Sequence, residues 1–183
     1  MKQEHKDFLL KLARNTIKNK LYGSSEKLEC PADDFYKKKR GAFVTLHKHG
    51  QLRGCIGYIE GIKSIYDTIK EMAIAAAFQD PRFPALQKDE LDQIDIEISL
   101  LTPLEKVESK EDIKIGKHGL LIRNGFNSGL LLPQVATEWN WDVETFLEQT
   151  CRKAGLHGNC WKESSTQIFR FSAEIFSESR KNS

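Results

Sequence analysis

Residues 41–59 read Gly41-Ala42-Phe43-Val44-Thr45-Leu46-His47-Lys48, then His49-Gly50, then Gln51-Leu52-Arg53-Gly54-Cys55-Ile56-Gly57-Tyr58-Ile59. Two β-rich runs on either side of a tight turn predict an antiparallel hairpin. Further on, Ile94-Asp95-Ile96-Glu97-Ile98-Ser99-Leu100 alternates cleanly. Its even positions suit a core, and Asp95, Glu97 and Ser99 form a row on the other face. A second hairpin is expected from Gly119-Leu120-Leu121-Ile122-Arg123 through Asn124-Gly125 to Gly129-Leu130-Leu131-Leu132, ended by Pro133. One final strand is expected over residues 167–176, with Phe169, Phe171, Ala173 and Ile175 on one side.

Three helices fit between and before these strands. Phe8, Leu9, Leu12, Ala13, Thr16, Ile17 and Leu21 recur three and four apart and stop at Gly23. Ser64 and Asp67 form a cap for a helix running to about Phe78. Asp142 caps a third, Trp141 staples onto Phe146, and Gly155 closes it. Its buried stripe is Val143, Phe146, Leu147, Thr150, Cys151 and Ala154. Between the second helix and the 94–100 strand, Asp80-Pro81-Arg82-Phe83-Pro84 must be an extended, shaped loop, because two prolines forbid helix. Strands joined by turns in some places and by helices or long loops in others point to an α+β fold. Mainly antiparallel sheet is expected rather than a doubly wound parallel one.

The length of 183 residues suits one domain, and 39% hydrophobic with 30% charged residues excludes a disordered or collagen-like chain. The longest apolar run, Met72-Ala73-Ile74-Ala75-Ala76-Ala77-Phe78, is far short of the roughly 20 residues a bilayer requires. The first residues mix charges and lack an apolar signal segment, so a cytoplasmic address without membrane attachment is expected. A net charge of +2 is weak for a dedicated nucleic-acid binder. The one basic block, Lys37-Lys38-Lys39-Arg40, reads as a solvated loop. Of the four cysteines, no two are spaced CxxC, and nothing in the spacing argues for a disulfide. Cys151 is expected in a helix core, and Cys30 and Cys160 have no recognisable partner.

Cys55 stands out among the reactive side chains. In strict alternation Arg53, Cys55 and Gly57 share a face, each about 6.8 Å from the next. A guanidinium there would favour thiolate, and the bare Gly57 would leave a hollow for a ligand. The plainer reading makes Gly54 the mark of a bulge and Cys55 a small buried hydrophobe. His118, just before Gly119, is open to a backbone contact or to a role as base for Cys55. Cys55 and His118 with Glu97 would also suit a zinc-like site, but their spacing carries no metal signature and none is expected. Arg82 reads as a loop-tying arginine bound to carbonyls and a carboxylate, with anion binding the lesser alternative. Neither GxGxxG nor GxxxxGK[ST] occurs, and no cofactor is expected.

The string Leu52-Arg53-Gly54-Cys55-Ile56-Gly57 resembles the signature of the AMMECR domain family. Ala77-Phe78-Gln79-Asp80-Pro81-Arg82-Phe83, Ile96-Glu97-Ile98-Ser99-Leu100-Leu101 and His118-Gly119-Leu120 are similar to later blocks of that family. So are Gly129-Leu130-Leu131-Leu132-Pro133-Gln134-Val135-Ala136 and Phe146-Leu147-Glu148-Gln149-Thr150-Cys151. The resemblance implies a single AMMECR domain over residues 1–183, built as two lobes of antiparallel sheet with a cleft between them. The motif residues would project into that cleft. Cys55, His118 and Glu97 are then the catalytic candidates. Arg53, Gly54, Gly57, Asp80, Arg82 and Ser99 are the candidates for binding an unidentified small molecule or peptide. Prokaryotic members look like component A of a three-protein set with Memo-like and radical SAM proteins. That company implies a cysteine-dependent enzyme, or a component of a modification or biosynthetic system. The alternatives are a non-catalytic protein-binding module and an RNA-modification-associated protein, with Lys37–Arg40, Trp139 and Trp141 as the weak RNA-binding candidates.

Overall fold

The structure, a computed structural model, describes residues 1–178 and divides into two compact units. The first comprises Met1–Leu101 together with the described residues 174–178, and the second is Thr102–Ala173.

The first unit begins with α1 (Gln3–Tyr22), which ends at Gly23 in the left-handed region, φ 67°. The hairpin β1 (Ala42–Lys48) and β2 (Gln51–Tyr58) follows, then α2 (Ile65–Phe78) and β3 (Ile94–Leu101). At the start of α2 the Ser64 hydroxyl accepts the Asp67 N–H, as the capping pattern predicts. The last strand, β8 (Ala173–Ser177), completes a sheet in the order β2-β1-β3-β8. Alternation does its expected work: Ala42, Val44, Leu46, Ile94, Ile96, Ile98 and Leu100 are fully buried in one cluster with Leu9 and Ile17 of α1 and Ile65 and Ile69 of α2. Arg14 of α1 donates to the Leu91 and Ile94 carbonyls, both at 2.8 Å, and forks onto Glu178. The Glu178 carboxylate also accepts the Ile96 N–H at 3.0 Å, so one ion pair ties α1 to β3 and to the chain after β8.

The second unit holds β4 (Glu105–Lys106), β5 (Gly119–Asn124), β6 (Asn127–Leu131) and β7 (Gln167–Phe171), ordered β4-β7-β5-β6. Two helices, α3 (Pro133–Glu138) and α4 (Val143–Lys153), accompany it. Asp142 caps α4 by accepting the Thr145 N–H at 2.8 Å, and Trp141 packs against the cluster that contains Phe146. The fold is α+β with two antiparallel four-stranded sheets.

Four expectations are corrected. Residues 167–176 are not one strand: the chain breaks at Ser172 into β7 and β8, which belong to different sheets. The break shifts the alternation, so Phe176 is buried and Ile175 is exposed. In the second hairpin, Gly125 takes a positive φ of 58° and the return strand starts at Asn127, two residues earlier than Gly129. Pro133 does more than end that hairpin: it occupies the first turn of α3, where its missing N–H costs nothing. Lastly, Cys151 and Cys160 form a disulfide across a separation of nine residues, so Cys151 is no core thiol and Cys160 has a partner.

Candidate functional site

Sheet order makes β2 an edge strand, with no strand among the described residues pairing one side of its backbone. At Cys55 that bare edge is closed by side chains. The Asp80 carboxylate accepts the Cys55 N–H at 2.9 Å, and the Arg82 guanidinium donates to the Cys55 carbonyl at 3.3 Å. Arg82 in turn grips Asp80 through Nε at 3.0 Å and Nη2 at 2.7 Å, and its own N–H reaches Oδ1 at 3.1 Å. The proline-shaped loop therefore acts as a two-residue substitute strand. Arg82 holds the Asp80 carboxyl far below the ordinary carboxylate range, with the Cys55 and Arg82 N–H groups adding to that effect. Asp80 is 2% exposed while the Arg82 side chain is 54% exposed, so the acid is interior and the base stands at the surface. Arg82 meets the loop-tying expectation made of it.

The sheet face away from the helices carries the sulfur. Thr45 of β1 is the cross-strand partner of both Cys55 and Glu97, so the three side chains stand in one row across β2, β1 and β3. The Thr45 hydroxyl donates to Cys55 Sγ at 3.2 Å. Burial pushes the Cys55 thiol up and outweighs the opposing pull of that hydroxyl and of Arg82. The half-buried sulfur is thus held as a thiol. Ser99, two residues on from Glu97, is buried.

Arg53 corrects the notion of a guanidinium beside the sulfur. The hairpin register shifts between Leu46 and His47, where Leu46 pairs with Gly54 and His47 with Leu52. Arg53 is the extra residue of that bulge, and strict alternation from 53 to 55 does not hold. Its guanidinium forks onto Glu90 at 3.0 and 2.8 Å and donates to the Pro84 carbonyl at 3.0 Å. It is committed to structure, and Glu90 answers by titrating at about 2. The glycines are explained the same way. A Cβ at Gly54 would run into the Ala76 carbonyl, so Gly54 lets α2 lie directly on the strand. A Cβ at Gly57 would strike the Phe43 ring, which occupies the space read from sequence as a ligand hollow.

His118 belongs to the second unit, whereas Cys55 and Glu97 belong to the first. Its Nδ1 accepts the Lys114 N–H at 3.1 Å, the backbone contact that its position allowed. Burial, followed by the neighbouring Arg170 and Lys117, lowers its pKa, so the ring is neutral. The basic block is not simply solvated: Lys37 bonds Asp34 at 2.9 Å, and Arg40 donates to the Leu101 and Leu100 carbonyls. Among the described residues no group of three or more His, Cys, Asp and Glu could hold a metal ion, and no helix is long and apolar enough to cross a membrane.

Thr45, Phe43 and Glu90 are the site residues that sequence reading missed. A two-residue hairpin turn alone pairs Thr45 with Gly54, and only the bulge moves Thr45 opposite Cys55.

A family model described as AMMECR1 matches residues 10–176. A protein of Methanothermobacter thermautotrophicus is 51% identical over 178 residues, covering 93% of this chain and 92% of its own length. Protein TK0174 of Thermococcus kodakarensis is 44% identical over 97% of this chain and 92% of its own. The crystal structure of protein PH0010 from Pyrococcus horikoshii superposes with a TM-score of 0.87 at 41% identity, covering 98% of this chain and 94% of that one.

Proposed function

The chain belongs to the AMMECR1 family, and on that premise we propose that it is a non-catalytic binding component of a modification or biosynthetic system. Its recognition face is formed by the half-buried Cys55 and Glu97, with the buried Thr45 between them in the row and Arg82 beside it. The partner is one of the Memo-like or radical SAM proteins that the family resemblance implies, contributing an extended segment or loop. Three observations at Cys55 together support binding over nucleophilic catalysis. Burial keeps Cys55 protonated, its hydrogen bond comes from the Thr45 hydroxyl, and the arginine best placed by sequence to activate it is committed to Glu90. A thiol in that setting is a compact, polarisable, half-buried contact rather than a poised nucleophile.

Two measurements test this together. The rate of Cys55 alkylation by iodoacetamide should still be rising past pH 9. In co-purification with the Memo-like and radical SAM proteins, Cys55→Ser should retain the complex and Glu97→Arg should lose it. A midpoint of alkylation below pH 7, or no complex at micromolar concentration of either partner, overturns the proposal.

A further inference from the structure

In the second unit, Lys114-Ile115-Gly116-Lys117-His118 forms a closed turn that no part of the proposed function uses. Gly116 takes φ 79°, the Lys117 and His118 N–H groups both reach the Lys114 carbonyl, and the His118 ring returns to the Lys114 N–H. The turn places two lysines and a histidine on the wall of a cavity of about 330 Å³. Arg170 lines it from β7, Glu105 from β4, and Thr102 and Ser172 supply hydroxyls.

The protonation pattern of these groups is one-sided. His118 is 7% exposed, and its Nδ1 is occupied as an acceptor. The neutral ring therefore carries its proton on Nε2, which donates to no group among the described residues. Thr102 Oγ1 accepts the Ser172 N–H at 2.8 Å, which frees its own proton to donate. Lys114 and Lys117 are exposed and form no ion pair among the described residues. Arg170 is engaged with Glu105 at 3.0 and 2.9 Å and with the Asp112 carbonyl at 2.5 Å, and among the described residues Glu105 is the only acidic side chain on the wall. With Arg170 neutralised by Glu105, Lys114 and Lys117 leave an excess of two positive charges, surrounded by N–H and O–H donors.

The geometry points to a binding site for a small phosphomonoester, its phosphate dianion held by Lys114 and Lys117 and by the His118 Nε2–H. Two positive charges match a dianion, and a set of convergent donors matches three terminal phosphate oxygens better than the two of a carboxylate. The site lies within the second unit and does not depend on the reading of Cys55.

The test is an NMR and calorimetric titration of the full chain with glycerol 3-phosphate, inorganic phosphate and succinate at pH 7.5. Glycerol 3-phosphate should shift the His118 ring resonances and bind with a Kd of about 1 mM or tighter. Lys114→Gln and Lys117→Gln, both at exposed positions, should each weaken it about fivefold, and His118→Gln by a similar factor. Unchanged His118 resonances at 10-fold excess over about 1 mM, equal affinity for succinate, or undiminished binding in the double lysine variant each overturn the proposal. A single-stranded RNA oligonucleotide that binds through the same lysines far more tightly than glycerol 3-phosphate also overturns it, in favour of a nucleic-acid backbone.

Discussion

Replacing Asp80 by alanine strips the Cys55 edge of its cap. The substitution leaves the Cys55 N–H without its acceptor at 2.9 Å and removes the three contacts from Arg82. An orphaned, partly buried amide costs about 1–3 kcal/mol. The ion pair adds only about 0–1 kcal/mol, because the guanidinium is more than half exposed and screened by water. The expected loss is about 1–4 kcal/mol, which with a urea slope of about 2 kcal/mol/M moves the midpoint down by about 0.5–2 M. A local readout should accompany it: the Cys55 amide, which the Asp80 bond should protect from hydrogen exchange despite its place on an edge strand, should exchange faster in the variant. The pH dependence has a definite sign. The folded-state pKa of Asp80 is depressed below its ordinary 3.8, so its contribution is present above that pH and is lost as pH falls through the folded value. The gap between wild type and Asp80→Asn should therefore narrow on acidification below pH 3.8. A midpoint within about 0.3 M of wild type, or a gap that widens in acid, refutes the edge-cap argument.

Gly54→Ala forces a methyl into the Ala76 carbonyl and should destabilise by about 1–3 kcal/mol, whereas an exposed glycine such as Gly125 keeps its fold when replaced by asparagine; thermal unfolding of both variants separates packing from backbone conformation. Reducing the Cys151–Cys160 disulfide, which closes a loop of nine residues' separation, should cost about 2–3 kcal/mol, seen as a lower urea midpoint in dithiothreitol that the Cys151→Ala/Cys160→Ala variant does not show.

Local chemistry made most elements legible. The Ser64 and Asp142 caps, the left-handed Gly23 and the alternation of residues 94–100 act within a few positions of one another and appear where the sequence places them. What escaped depends on contacts between distant segments. Alternation continues through Ser172 on paper, yet reciprocal bonds between Thr102 and Ser172 hold the chain where it leaves one sheet for the other. The site suffers from the same blindness. Arg53, Gly54, Cys55 and Gly57 all stand out in the sequence, but a bulge redirects Arg53, a helix explains Gly54 and a ring fills the space at Gly57. Strand period alone does not reveal a bulge, because the inserted residue is ordinary in type. The disulfide was hidden because spacing carries no geometry until a helix end and a following turn bring two sulfurs together.

The split of the first unit around the second has a kinetic side. Strand β3 is finished at Leu101, but the strand that flanks it in the sheet starts only at Ala173. On the ribosome, at about 5–20 residues per second, a nascent chain would wait several seconds with the β3 edge uncovered while the inserted unit emerges. During that interval the exposed edge is a template for intermolecular pairing. Releasing the chain before residue 173 should yield aggregation-prone fragments, and chaperone demand should peak in that window of translation.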